Sequence, residues 1–299
     1  MALTALVLGA AAGGGFPQWN CNCDVCRLAW VGDSRVLKRT QAGLAVSGDG
    51  QRWTLLNASP DLRHQIQSTK PLHPRDRRGS PIDSVLLTGA EIDQISGLLS
   101  LRERCSFTLL ATASTLAAVA QNPMFGVLAP DVVSRRAIVP GERFALGSGV
   151  EAELFIVPGK LPLYLEGEDP DTASESAANV GVEISDGNAR LAYVPGAAAV
   201  TPALKQRLSR ADVVLFDGTL FSDDEMIRSG TGSKTGRRMG HMPIDGSDGS
   251  IAALEGLPAR RIFVHINNTN PILIDGSPER LRVTDAGWEV AADGLEIVL

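Results

Sequence analysis

The sequence predicts an α/β protein: two mixed β-sheets packed face to face, with helices outside. Three observations carry this. Each half holds a hairpin signature, two apolar runs around an Asp-Gly turn: LAVSGDGQRWTLLN at Asp49-Gly50 and VGVEISDGNARLAYVP at Asp186-Gly187. Short, continuously apolar strands end in polar residues: SVLLT (Ser84 to Thr88), VVLFD (Val213 to Asp217) and RIFVHI (Arg261 to Ile266). Helical patterns follow these strands, so hairpins mix with strand-to-helix crossovers. The 299 residues can bury a large core, and no internal repeat splits them, so the expectation is a single domain, 1–299.

Taken in order, Leu3 to Leu8 is an apolar strand running into Gly13, Gly14 and Gly15. No Gly-Lys-Ser/Thr follows, so a tight turn with close backbone packing explains these glycines better than a phosphate loop. Cys21, Cys23 and Cys26 come next, in a chain with one other cysteine. A C-x-C-x-x-C cluster leaves an odd thiol and cramped spacings, which suits no relaxed disulfide framework. It can wrap one tetrahedral metal with a fourth ligand from elsewhere, and thiolates favour zinc in a structural role. Three reduced cysteines in a buried loop are the plain alternative. In SPDLRHQIQ, Ser59 is the expected N-cap, Pro60 the first helical residue and Asp61 a first-turn acid.

Ile92, Ile95, Leu98, Leu99 and Leu101 recur at helical spacing after strand Ser84 to Thr88. TGAEIDQ therefore places Glu91 and Asp93 at a helix N-terminus, where capping alone would justify acids. Glu166 to Ala178 is acidic and holds Pro, Ser and Thr, as a mobile loop and candidate lid would. Asp217 ends a strand in FDGT, and SIAALEGL is a short helix. GHMPI places His241 after the glycine- and arginine-rich SGTGSKTGRRMG, and VHINNTNP places His265 near a strand end before three asparagines. His64 and His73 read as exposed, and Pro74 to Arg78 as a solvated loop.

Hydrophobic residues at 44% and charged residues at 21% are ordinary for a globular protein. A net charge of -6 argues against nucleic acid and anionic membrane as partners. MALTALVLGAAAGGGF lacks a basic n-region and reads as strand and turn, not as a signal peptide. No apolar run reaches the roughly 18 residues of a membrane helix, so no membrane insertion is expected. Few cysteines, clustered for metal, fit a cytoplasmic location. A homodimer is left open as the assembly.

The order of these motifs resembles a metallo-β-lactamase-fold protein, which implies a four-layer αββα sandwich. That family delivers H-x-H-x-D-H from a strand into a helix. The matching string here is Gly89, Ala90, Glu91, Ile92, Asp93, Gln94, in which only the aspartate survives. The family's late-strand histidine matches His265, and its second aspartate falls near Gly196 and is absent. Two of the usual ligands remain, too few for a binuclear zinc centre. AAGGGFPQWNCNC, NASPDLR, EIDQISGLLSLRE, DGTLFSDDEM, GHMPI and VHINNTNPIL together resemble the protein B family of pyrroloquinoline quinone (PQQ) biosynthesis, over the chain to about residue 280. The cysteine cluster also resembles the accessory zinc site of related phosphodiesterases of carbon–phosphorus metabolism. Their fourth ligand position is Asn268 here, with Asp24, His265 or water as alternatives.

The resemblance implies iron- and O2-dependent hydroxylation of the tyrosine ring in a small, Glu-Tyr-derived PQQ precursor, or carriage of PQQ or its precursor towards the periplasm. A mononuclear metal-dependent hydrolase is the third reading. Residue chemistry favours the hydroxylase, because two histidines and a carboxylate on one face suit a non-haem Fe(II) site with open positions. Asp93, His241 and His265 would form that set. In related hydrolases a histidine at the place of His241, paired with an acid like Asp217, is a proton donor instead. Glu91 stands at a family ligand position and is a further candidate. Arg237 and Arg238 are expected to hold substrate carboxylates, as Arg is suited to bidentate pairing.

Overall fold

The computed structural model describes residues 2–165 and 175–299. Most of the expected lid segment, 166–174, lies outside the described residues. Among the described residues, fourteen strands form two sheets. Along the chain, β1 (Thr4–Gly9), β2 (Gly43–Ser47), β3 (Trp53–Leu56), β4 (Ile82–Leu86), β5 (Phe107–Ala111) and β6 (Val133–Ala137) belong to the first. The second takes β7 (Arg143–Ala145), β8 (Glu151–Ile156), β9 (Val180–Ser185), β10 (Arg190–Val194), β11 (Val213–Asp217), β12 (Arg260–Val264) and β13 (Trp288–Val290). The last strand, β14 (Glu296–Val298), crosses back to pair with β1, giving the orders β14-β1-β2-β3-β4-β5-β6 and β13-β12-β11-β10-β9-β8-β7. Both sheets are mixed: β3 to β6 run parallel, as do β10 to β13, beside antiparallel hairpins β2–β3 and β9–β10.

The period-two alternation of side chains builds the four layers. In β1, Ala5 and Val7 face the second sheet, while Leu6 and Leu8 face the outer helices. In β11, Val213 and Leu215 point inward, and Val214 and Phe216 outward. This is why VVLFD is apolar throughout: both of its faces are covered. Leu44, Val46, Leu56, Leu86, Val182, Tyr193 and Ile262 fill the space between the sheets. Leu62, Ile95, Leu98 and Val119 cover the first sheet from outside, and Leu204, Leu208, Ile251 and Val283 cover the second. The architecture is the αββα sandwich. Gly14 and Gly15 turn with φ of 94° and 71°, left-handed values that suit glycine, as the tight-turn reading requires.

One expected helix start and one expected apolar stripe are corrected, while the helix start near Ile92 stands. The helix after β3 is Leu62–Ser68, and neither Ser59 nor Asp61 caps it by side chain. Asp61 instead accepts hydrogen bonds from Gln41 N and Nε2, and Ser59 Oγ bonds Gln65 Oε1. The helix after β4 is one turn, Ile92–Ile95, continued as the 3₁₀ segment Ser96–Leu101. Ile92 is exposed there, so it does not share the apolar stripe of Ile95 and Leu98. No helix among the described residues is long and apolar enough to cross a membrane.

Candidate metal centres and the cavity between the sheets

The chain leaves β4, β11 and β12 at the same end of the sandwich, where open parallel sheets place their sites. Asp93 follows β4 in the first turn of helix Ile92–Ile95. Asp217 ends β11, and Thr219 lies two residues beyond it. His265 lies just past β12 with φ of 54°, a left-handed backbone rare for a non-glycine residue and one that turns its ring into the site. Asp93, Thr219 and His265 line a cavity of about 410 Å³ together with Gly13, Glu91, Lys160, Lys234, His241 and Asn267, and Asp217 lies buried behind Thr219 and His241.

His265 Nε2 lies 3.0 Å from Asp93 Oδ2, an approach from opposite sheets. Two ligands about 2.1 Å from one ion, at right angles, are about 3 Å apart. The pair therefore fits two adjacent coordination positions of a single metal. Burial disfavours charge on both groups. Even so, the hydrogen bond and charge of His265, helped by His241, hold the Asp93 carboxyl below the usual range. Likewise burial would lower His265, but the bond to Asp93 and the charges of Asp93, Asp217 and Glu91 raise it.

His241 stacks on His265 with ring centroids 5.2 Å apart. Its Nδ1 bonds Asp217 Oδ2 at 2.6 Å, and its Nε2 makes no hydrogen bond among the described residues. Asp217 is fully buried. Burial raises its pKa, but the charge and hydrogen bond of His241, together with His265 and Thr219, bring it below the usual range. Asp217, His241 and His265 cluster closely enough to suggest an ion between them. The Thr219 hydroxyl occupies that point, 3.1 Å from His241 Nδ1 and 2.9 Å from His265 Nδ1. Metal ligation by either histidine is thus left to Nε2.

Glu91 is tied down differently. It forms a capping box with Gln94, and its Oε1 accepts from Lys160 Nζ at 3.0 Å. The expectation for Arg237 and Arg238 is corrected: neither lines the cavity. Arg237 pairs with Asp248, and its backbone N–H bonds Asp223. Among the described residues, the lysines lining the cavity are Lys160 and Lys234. The sequence reading passed over both, along with Thr219. Lys160 follows Pro158 and Gly159 after an apolar strand, which is a local signal, whereas nothing beyond its place close to Asp217 in FDGT marks Thr219.

The second centre packs against the outer face of the second sheet, where Cys26 is buried. Cys23 N-caps the helix Asp24–Val31 and places Cys26 one turn along. The Sγ atoms of Cys21, Cys23 and Cys26 lie within 4.8 Å of one another. Thiolates 2.3 Å from a tetrahedral ion would be about 3.8 Å apart, so the donor set fits zinc. Asn268 closes the cage: its amide lies 3.1 Å from Cys21 Sγ and 3.3 Å from Cys26 Sγ. A hydrogen bond from Cys23 lowers the Cys26 pKa from its ordinary value against the effect of burial, and the Cys23 pKa is raised by that bond and by burial. Cys105 lies apart from this cluster.

Comparison with known proteins agrees with this architecture. A family profile described as a beta-lactamase superfamily domain matches residues 52–266. Coenzyme PQQ synthesis protein B of Methylobacterium nodulans is 54% identical over 99% of this chain and 100% of its own length. The counterpart from Rhizobium meliloti is 55% identical over 99% of this chain and 98% of its own. The crystal structure of Zn(2+)-bound PqqB from Methylobacterium extorquens superposes with a TM-score of 0.98, at 53% identity, covering 99% of this chain and 100% of that one. A diphosphatase of the PhnP family shares the fold, with a TM-score of 0.69 at 21% identity over 100% of this chain and 98% of its own. The chain belongs to the coenzyme PQQ synthesis protein B family, a branch of the beta-lactamase superfamily.

Proposed function

We propose that this protein acts in PQQ biosynthesis as an iron- and O2-dependent hydroxylase of the tyrosine ring in a Glu-Tyr-derived precursor. One observation carries the reading. Asp93 Oδ2 and His265 Nε2 form a two-point donor pair at 3.0 Å, while the neighbouring carboxylate, Glu91, is engaged by Lys160. This donor set suits one metal with several open positions. A binuclear hydrolytic centre would need about twice as many ligands. Iron(II) held there would supply activation of O2, and the open positions leave room for substrate beside it.

The protein's own residues do the rest. Asp93 and His265 anchor the ion, with Nε2 of His241 as the third donor or as a proton carrier. In the second role, Asp217 holds the His241 ring through Nδ1 and stabilises its protonated form. Lys234 and Lys160 offer positive charge to the carboxylates of a peptide-derived substrate. The balance is fixed by chemistry: one oxygen atom enters the ring and the other leaves as water. Two protons and two electrons from an added reductant are consumed.

The test is anaerobic loading with Fe(II), then addition of O2, ascorbate and a Glu-Tyr peptide, with mass analysis. A gain of one oxygen atom, dependent on both iron and O2, is the expected result. Turnover without O2 would point to hydrolysis instead. Tight product binding without turnover under any metal would point to a carrier.

A further inference from the structure

The buried polar cluster behind the cavity admits a complete proton inventory. Asp217 has no solvent exposure and receives four donors. Oδ1 accepts from Thr219 N at 3.0 Å and Thr219 Oγ1 at 2.6 Å. Oδ2 accepts from Ala197 N at 2.9 Å and His241 Nδ1 at 2.6 Å. A carboxylate taking four donors on two oxygens is ionised and has no proton to give.

The rest follows from that saturation. A hydroxyl has one proton, and for Thr219 the short bond to a charged oxygen claims it over the His265 carbonyl at 3.0 Å. The Thr219 oxygen then has only lone pairs left for His265 Nδ1, 2.9 Å away. So His265 Nδ1 must be the donor. A neutral His265 is therefore the Nδ1–H tautomer, and its Nε2 lone pair faces Asp93 Oδ2. Two acceptors 3.0 Å apart repel unless a cation lies between or beside them. A bound metal ion supplies that cation.

We propose that Thr219 is a positioning residue for metal binding: its hydroxyl relays the charge of Asp217 to His265 and locks the tautomer whose Nε2 is open to the ion. Asp217 thereby serves both histidines, His241 directly and His265 through Thr219. Partners of this kind orient a ligating imidazole and raise its basicity, and their loss weakens metal binding about 10- to 100-fold. The proposal rests on the reading of Asp93 and His265 as the metal pair, but on no assumption about O2 or substrate.

The test uses the full chain with zinc in the cysteine cage. Nitrogen-15 NMR of the metal-free second site, followed through an alkaline pH series until the ring is neutral, reports the His265 tautomer. The wild type is expected to show Nδ1–H. Cobalt(II) titration followed by its visible spectrum then reads affinity. Thr219→Ser keeps the hydroxyl and should bind cobalt like the wild type. Thr219→Val keeps the shape, loses the relay, and should bind about 10- to 100-fold more weakly while retaining the fold and the zinc content, with a lower Tm because the buried Asp217 loses a donor. An Nε2–H tautomer in the wild type overturns the proposal, even if Thr219→Val does not fold. So does wild-type cobalt affinity in a folded Thr219→Val. Failure of hydroxylation with these results intact would sink the proposed reaction and leave Thr219 in its role.

Discussion

His265 Nε2 and Asp93 Oδ2 meet at 3.0 Å although 172 residues separate them, one at the end of each sheet. Asp93→Asn tests what that contact is for. The amide keeps shape and loses charge, so a capping role would survive it, whereas an anionic metal ligand would not. Iron occupancy and oxygen-dependent turnover are expected to fall sharply, to about one hundredth or less. Glu91→Gln should keep most iron, since Glu91 is engaged by Lys160 and by the capping box. Normal turnover in Asp93→Asn with loss in Glu91→Gln would move the carboxylate role to Glu91.

The parts of this site that sequence reveals are those whose chemistry is local. Three cysteines in six residues announce a metal whatever the fold, and the acid after SVLLT is placed by a strand and a helix start. The layers were legible because apolar runs and Asp-Gly turns are local too. Thr219 was not, because its role exists only where β11, β12 and the His241 loop converge. Arg237 and Arg238 misled for the same reason. Their loop was read correctly as glycine-rich and cationic, but which cation faces the cavity is set by the turn at Gly236 to Gly240, where Arg237 is drawn to Asp248. The expected cap at Ser59 failed because Gln65 engages its hydroxyl.

The cysteine cage is predicted to hold structural zinc. Cys21→Ser should reduce zinc towards zero per chain at that cage. Structural zinc binding is worth on the order of 10 kcal/mol, so losing even a part of it should lower Tm by roughly 10 °C. Asn268 grips the cage three residues after His265, so second-site metal affinity should fall as well. Full zinc retention, measured by atomic emission on the purified variant, would contradict this.

Lys234 lines the cavity without an ion pair among the described residues. Lys234→Gln should raise KM for a Glu-Tyr substrate about 10-fold or more, the usual value of a charged hydrogen bond, and leave kcat within about two-fold. Lys234→Arg should restore most of the affinity, and added salt should weaken wild-type binding but not that of Lys234→Gln. An unchanged KM in Lys234→Gln would remove this residue from substrate binding.

Glu225 gives a pH prediction behind the site. It is buried, accepts hydrogen bonds from Thr269 Oγ1 at 2.5 Å and Phe221 N at 2.7 Å, and through Thr269 reaches the cavity residue Asn267. Burial pushes its pKa up from 4.5 to about 7, against the lowering effect of those bonds. The sign follows from proton counts. Between pH 4.5 and 7 the folded chain keeps a proton at Glu225 that the unfolded chain has released. Stability is therefore highest below this window and falls as pH rises through it, by about 3 kcal/mol in all. Glu225→Gln carries no titrating group, so its Tm relative to wild type should rise between pH 5 and pH 8. Other acids with raised pKa, the half-buried Asp83 and Asp293 among them, titrate in both proteins and cancel in that difference. A difference in Tm that is the same at both pH values would mean that Glu225 is charged throughout, with Thr269 and Phe221 holding it as an ordinary buried carboxylate.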